Sequence, residues 1–131
     1  MISYATIGTN DIAKAQGFYD PLFAEIGVRR LMEISDHGGF TLYGDTPGAG
    51  SVAVTHPWDG NAATVGNGNM LALQMKDRST VDAMHAKALA LGATCDGAPG
   101  LRGEEGSQAF YGAYFRDLDG NKLCVFKMGP A

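Results

Sequence analysis

The side chains able to do chemistry in this chain are few and scattered. His37, His56 and His85 form no H-x-H or H-x-x-x-H pair, so there is no local zinc motif. Cys95 and Cys124 are 29 residues apart and form no C-x-x-C pair; they read as reduced, buried thiols of a cytoplasmic protein. As a nucleophile Cys124 needs a neighbouring base, and the sequence places none. Arg102 has the planar fork that holds a carboxylate or phosphate, and it has Glu104 and Glu105 close by as surface ion-pair partners. His56 leads the word His56-Pro57-Trp58-Asp59-Gly60 at the end of a β-like run. It reads as a ligand-contacting imidazole or as a loop residue that orients backbone. Trp58, the one tryptophan, reads as an aromatic wall for a ligand or as a contact surface. Tyr111 and Tyr114 lie in an aromatic run, Phe110-Tyr111-x-x-Tyr114-Phe115, and serve either a site or the core. Alternation puts Tyr114 on one strand face with Arg116, and Tyr111 with Phe115 on the other.

Two apparent motifs fail on context. Gly66-Asn67-Gly68-Asn69 contains a G-x-G, but a strand follows where a dinucleotide fingerprint requires a helix N-terminus. Asp117-x-Asp119-Gly120 superficially resembles a calcium loop, yet its glycine comes too early and no glutamate closes it.

The elements that must position these residues come in two matching sets. Residues 2–8 are short and β-prone. Residues 11–27 then carry Ile12, Ala15, Phe18, Tyr19, Leu22, Phe23 and Ile26 at helical spacing, and Gly27 ends them. Asn10 or Asp11 caps this helix, and Pro21 predicts a kink or break inside it. Residues 70–75 are again strand-like. Residues 77–92 follow, with Val81, Met84, Ala88 and Leu91 on one face and Gly92 as terminator. Each helix leads into hairpin-like sequence: 29–34, 39–43 and 51–56 in the first half, and 93–95, 110–116 and 122–128 in the second. Residues 97–109 read as a long glycine-rich loop, His37 as a turn residue, and His85 as a residue covering the sheet edge. The plan is therefore α+β, with two βαβββ modules at 1–56 and 70–131 joined by a linker at 57–69.

Composition narrows the possible roles. The chain has 131 residues, 45% of them apolar and 18% charged, enough for a packed core. Its net charge is −4 and its ten basic residues are dispersed, which argues against nucleic acid. No apolar run approaches the ~20 residues of a membrane span. The first fifteen residues lack a signal-peptide pattern, so a cytoplasmic location is expected. Modules of about 60 residues are marginal alone, so they are expected to pack together or to pair across a homodimer.

The words Asn10-Asp11-Ile12-x-x-Ala15-x-x-Phe18-Tyr19, Gly66-Asn67-Gly68, Ala98-Pro99-Gly100-Leu101-Arg102 and Asp117-Leu118-Asp119-Gly120-Asn121-Lys122, in this order, resemble the vicinal oxygen chelate superfamily. That group includes glyoxalase I, bleomycin-resistance proteins, fosfomycin-resistance proteins and extradiol dioxygenases. Leu118 stands where the family's D-P-D-G-N word has proline. The resemblance implies two half-barrels around a cleft, with metal ligands of the metalloenzymes at four quasi-equivalent strand positions. By motif spacing these are Tyr4, Val54, Met70 and Cys124, or His56 in place of Val54 after a two-residue shift. Zn²⁺, Ni²⁺ or Fe²⁺ needs imidazole or carboxylate donors there. The expectation is therefore a single glyoxalase-like domain that binds a small organic ligand with no metal cofactor, through Tyr4, His56, Trp58, Met70, Arg102, Tyr111, Tyr114 and Cys124. The alternatives are a lyase or dioxygenase of the glyoxalase type using a divalent metal, and a non-catalytic interaction module.

Overall fold

Aspartates start both helices by the same chemistry. Asp11 Oδ1 accepts from the Lys14 amide at 3.0 Å, and Asp77 Oδ1 accepts from the Thr80 amide at 2.8 Å. Asp77 also accepts from the Thr80 and Ser79 hydroxyls, and these bonds hold its carboxyl down at about 2. Asn10 does not cap. Its side chain reaches the backbone of Ala63 instead, accepting from the amide at 2.7 Å and donating to the carbonyl at 3.3 Å.

The computed structural model describes residues 1–131 and divides into two compact units, Met1–Gly66 and Asn67–Ala131. The first unit runs β1 (Tyr4–Gly8), α1 (Ile12–Ala24), β2 (Arg29–Ile34), β3 (Phe40–Gly44) and β4 (Ser51–Thr55). The second runs β5 (Leu71–Gln74), α2 (Arg78–Ala90), β6 (Thr94–Leu101), β7 (Phe110–Arg116) and β8 (Lys122–Met128). The sheets have the same wiring, β1-β4-β3-β2 and β5-β8-β7-β6, with the first strand of each parallel to the last. No helix is long and apolar enough to cross a membrane.

Three sequence expectations change. The helix runs through Pro21 without a break and ends three residues later, so the missing amide costs the last turn a single bond. The glycine-rich stretch is not all loop, because residues 94–101 form β6, paired with β7 through two register shifts. Residues 57–66, read as linker, belong to the first unit, where Asn10 pins Ala63 against Gly8.

In each unit the helix covers one face of its sheet. In the first, Tyr43 packs against Tyr19 and Phe23, and Thr41 accepts from Gln16 of α1 at 2.9 Å. Val52 and Val54 pair across from Tyr43 and Thr41, so they face α1 as well. Each large apolar side chain buried here contributes about 1.5–3 kcal/mol. Tyr43 also donates to Asp20 at 2.7 Å, and Asp20 takes a two-pronged contact from Arg30 at 2.6 and 2.9 Å. Arg30 holds the Asp20 carboxyl below its usual range, while burial and Asp20 push the Tyr43 phenol up.

In the second unit Ala113, Phe115, Leu123 and Val125 are fully buried on the face that α2 covers with Val81, Met84 and Ala88. His85 lies on the same side of α2. It is only 5% exposed, so it belongs to the core and not to a sheet edge. One ring nitrogen donates to the Tyr114 carbonyl, and Nε2 has no partner. Burial therefore holds the imidazole pKa below 6.5, partly opposed by that bond and by Asp82. The unfolded chain binds a proton near pH 6.5 that the native state refuses. Stability should thus be full above that pH and fall as pH drops below it, until the native imidazole also titrates. His85→Asn keeps an N–H aimed at the Tyr114 carbonyl and removes the titration. Urea midpoints at about pH 7.5 and 5.5, either side of that value, should differ for the native protein and converge for His85→Asn. An equal fall in both proteins sinks this account.

Candidate functional site

Each helix covers one sheet face, so the opposite faces are the ones free to meet a ligand. In the first unit Tyr4, Thr6 and Gly8 of β1 share this uncovered face with Ser51, Ala53 and Thr55 of β4 and with Phe40 and Leu42 of β3. Tyr4 is half exposed and meets Phe40 edge-on, with ring centroids 6.4 Å apart. Met32 and Ile34 of β2 pair with Leu42 and Phe40 and are also exposed. This face sets the aromatic and apolar side chains of Tyr4, Phe40, Leu42 and Met32 beside the hydroxyls of Thr6, Ser51 and Thr55.

Val54 does not belong to it. Cys124 is the third residue of β8, and the third residue of β4 is Ala53, one short of Val54. In the register Cys124 pairs with Ala72 of β5, and the residue that pairs with the equivalent Thr6 of β1 is Ala53. A one-residue slip exchanges the two faces of a strand, which sends Val54 under α1. His56 lies just beyond β4. Its ring packs over Gly38, where an added Cβ would come within 2.6 Å, and Nδ1 is 3.2 Å from the Pro57 carbonyl oxygen. Trp58 is 80% exposed and meets the His37 ring at a tilt of 45°, with centroids 4.2 Å apart. His37 therefore does more than turn the chain. It adopts φ +53°, a conformation uncommon outside glycine, and presents its ring to Trp58. The sequence signal for this pair was only that His37 and Trp58 flank neighbouring strand ends.

In the second unit Tyr114 and Cys124 face each other across β7 and β8, on the uncovered face. Tyr114 lies beside the Cys124 thiol, and Cys124 is fully buried. Met70 precedes β5 by one residue, shares the strand parity of Ala72 and is half exposed. Phe110 folds across Gly112 and stacks flat on Phe126, with centroids 5.1 Å apart and planes 8° apart. Tyr111 is on the opposite side, donating to Asp82 at 2.7 Å with Arg78 over its ring. It fastens β7 to α2 and does not join Tyr114.

Two cations approach Tyr114. The Arg102 guanidinium carbon and Lys122 Nζ each lie 5.3 Å from the ring centroid. Arg102 is not paired with Glu104 or Glu105, because Glu105 forms a two-pronged bridge to Arg78 at 2.6 and 2.7 Å. The cationic neighbours that the sequence did not reveal beside Cys124 are thus present. They do not activate it: burial pushes the thiol pKa up, and Tyr114, Arg102 and Lys122 only partly offset that. Cys95, in contrast, is exposed, so the expectation of buried thiols holds only for Cys124.

The four positions of the metalloenzyme pattern therefore carry a phenol at Tyr4, a methyl at Ala53, a thioether at Met70 and a buried protonated thiol at Cys124. Within either unit no three His, Cys, Asp or Glu side chains gather in a metal-holding group. This donor set does not fit a divalent catalytic metal.

The family model described as Glyoxalase/Bleomycin resistance protein/Dioxygenase superfamily matches residues 1–125. The crystal structure of a glyoxalase/bleomycin resistance protein from Albidiferax ferrireducens is similar, with 34% identity and a TM-score of 0.81 over 97% of this chain and 98% of that one. A glyoxalase/bleomycin resistance protein/dioxygenase family enzyme from Burkholderia phytofirmans shares the fold at 22% identity and TM-score 0.67, over 96% of this chain and 97% of that one. TnmS3, an antibiotic binding protein from a Streptomyces species, shares it at 20% identity and TM-score 0.65, over 98% and 96% of the two chains. No curated protein matches the chain.

Proposed function

Because the chain belongs to the glyoxalase/bleomycin resistance protein/dioxygenase superfamily, we propose that it binds a small organic ligand on the uncovered faces of its sheets, without the divalent metal of the superfamily's metalloenzymes. The observation that carries this reading is the donor set. Ala53 offers no donor atom, Met70 offers a soft thioether, and Tyr4 and Cys124 bind metal well only after losing a proton. The same faces present aromatic and apolar side chains, Tyr4, Phe40 and Met32 in one unit and Phe126, Phe110 and Met70 in the other. Such linings, with a few placed polar groups, are what small-molecule sites are made of. TnmS3 is an antibiotic binding protein of this fold, so the fold accommodates that use.

Elemental analysis tests the metal-free part. Purified protein should carry well under one equivalent of Ni, Zn, Fe or Mn, and a chelator should leave its thermal midpoint unchanged. Stoichiometric metal whose removal lowers the midpoint overturns the reading in favour of a metal-dependent lyase or dioxygenase. Binding is tested by thermal shift against a broad panel of small organic molecules. A ligand at a hundred times its Kd adds about 2.7 kcal/mol to stability, a clear rise in midpoint. A panel without a single stabiliser favours the interaction module.

A further inference from the structure

We propose that the ligand of the second unit is an organic anion, a carboxylate or phosphate monoester on an apolar body, with its charged head held by Arg102 beside Tyr114 and drawn there in part by the charge of Lys122 on the β8 side of the ring. The proposal rests on the ligand-binding reading above and specifies the ligand class.

Arg102 is the central observation. Exposed arginines usually lie in solvent or against a carboxylate, and this one does neither. Its Nη1 donates to the Gly100 carbonyl at 3.0 Å and its Nη2 to the Ala98 carbonyl at 2.7 Å, so the side chain lies back along β6 with its guanidinium against Tyr114. The strand is built to admit it. A Cβ at Gly97 would stand 3.2 Å from Nη2 and 2.8 Å from the Tyr114 ring, and one at Gly100 would stand 3.4 Å from Nη1. Gly97 also has φ +155°, at the edge of the region that side chains avoid. The two backbone bonds fix the plane of the fork and leave further N–H groups for a guest, with the full charge uncompensated. A cation ordered in advance binds an anion with less entropy to lose.

Lys122 adds the second charge. Its ammonium is the same distance from the same ring, and its one carboxylate, Asp96, is shared with Arg116, at 3.2 and 3.1 Å. Arg116 and Lys122 thus share one acid, Asp96, and Arg102 is bonded only to backbone carbonyls, within a chain whose net charge is −4. At contact distance this local excess outweighs the chain's overall charge, because exposed charges beyond about 8 Å are screened. The apolar body has its own place. Ala72 pairs with Cys124 beside Tyr114, and Phe126, with Phe110 stacked on it, is two residues further along the same face. A charged end and an apolar end therefore lie side by side on one sheet face.

Four probes of one shape test this by backbone-amide NMR titration: phenylacetate, phenyl phosphate, phenylacetamide and phenethylamine. At least one of the two anions should bind tenfold or more tightly than the amide and the amine. It should shift residues 97–102, 114 and 122, and it should weaken as salt is raised. Whichever anion binds better identifies the head group. Arg102→Gln should remove most of that preference, roughly ten- to a hundredfold, the range expected for bonds to a charged group. Lys122→Gln should remove part of it, and it stands as the second variant if Arg102→Gln unfolds. Amide or amine binding as tightly as the anions, or a preference that survives both variants, overturns the anion proposal and leaves the ligand-binding reading intact. Inorganic phosphate matching the organic anions overturns the apolar-body half. Failure of every probe, together with a silent thermal-shift panel, removes both readings.

Discussion

Val54→Glu is expected to unfold the first unit or to cost it about 4 kcal/mol or more, the size that marks an unpaired buried charge. Val54 is 1% exposed and lies between Ile7 and Thr41 on the α1 side of the sheet. Thr41 already accepts from Gln16 there, and Arg30, the cation nearest in register, is engaged by Asp20 and Glu33. A new carboxylate would have neither solvent nor a counter-ion. Against a usual total stability of about 5–15 kcal/mol the loss is decisive. Urea unfolding followed by circular dichroism measures it, with Val54→Ala as a reference for lost volume alone. If Val54 faced the ligand side, as the motif spacing first suggests, the introduced carboxylate would be partly hydrated and the two variants would have similar midpoints. That outcome refutes the register that places Val54 under α1 and Ala53 on the ligand side.

This case also shows what was legible in the sequence and what was not. The duplicated plan could be read because helix starts are marked chemically. Asp11 and Asp77 each follow their strands at the same interval, and both are the caps observed. Face assignment after a hairpin is different, since it depends on counting through a turn whose length does not leave a strong mark. Gly44 to Ser51 is one residue longer than Arg116 to Lys122, so matching the hairpins through their turns leaves the face open, and only the strand starts show that Ala53, not Val54, stands where Cys124 does. β6 was hidden for another reason. Gly97, Ala98, Pro99 and Gly100 have low strand propensity, and they form a strand because β7 pairs with them and because their small size admits Tyr114 and Arg102. Alternation along β7 correctly separated Tyr111 from Tyr114, since it needs no turn to be crossed. The ion-pair choice of Arg102 could not be read. Glu105 is three residues away, yet it binds Arg78, which is brought to it only by the packing of α2.

Asp117→Ala is expected to cost about 3 kcal/mol and to loosen the second unit's uncovered face at the same time. Asp117 is 6% exposed at the start of the β7–β8 turn, and its carboxylate organises the turn from inside. Oδ1 accepts from the amides of Asp119 at 3.0 Å and Asn121 at 2.8 Å, and Oδ2 accepts from the Asn121 side chain at 2.9 Å. Its backbone carbonyl accepts from the Gly120 amide at 3.0 Å, and its backbone amide donates to the Asn121 carbonyl at 2.9 Å. Bonds to a charged acceptor are worth about 1.5–3 kcal/mol each, and they are not additive within one network, so the expected loss is set well below their sum. Asp117→Asn keeps an oxygen for the two amides and should lose only about 1 kcal/mol. The contrast between the two variants tests the turn chemistry apart from side-chain volume. The consequence for the site follows from register. This turn sets Arg116 opposite Lys122 and Tyr114 opposite Cys124, and so fixes where both cations stand relative to the ring. Hydrogen exchange at Asp119 and Asn121 should quicken in Asp117→Ala, and any anion preference should fall with it even under conditions where the protein remains folded. A stability loss below about 1 kcal/mol, or quickened exchange with anion preference unchanged, would show that the turn and the charged cluster are independent.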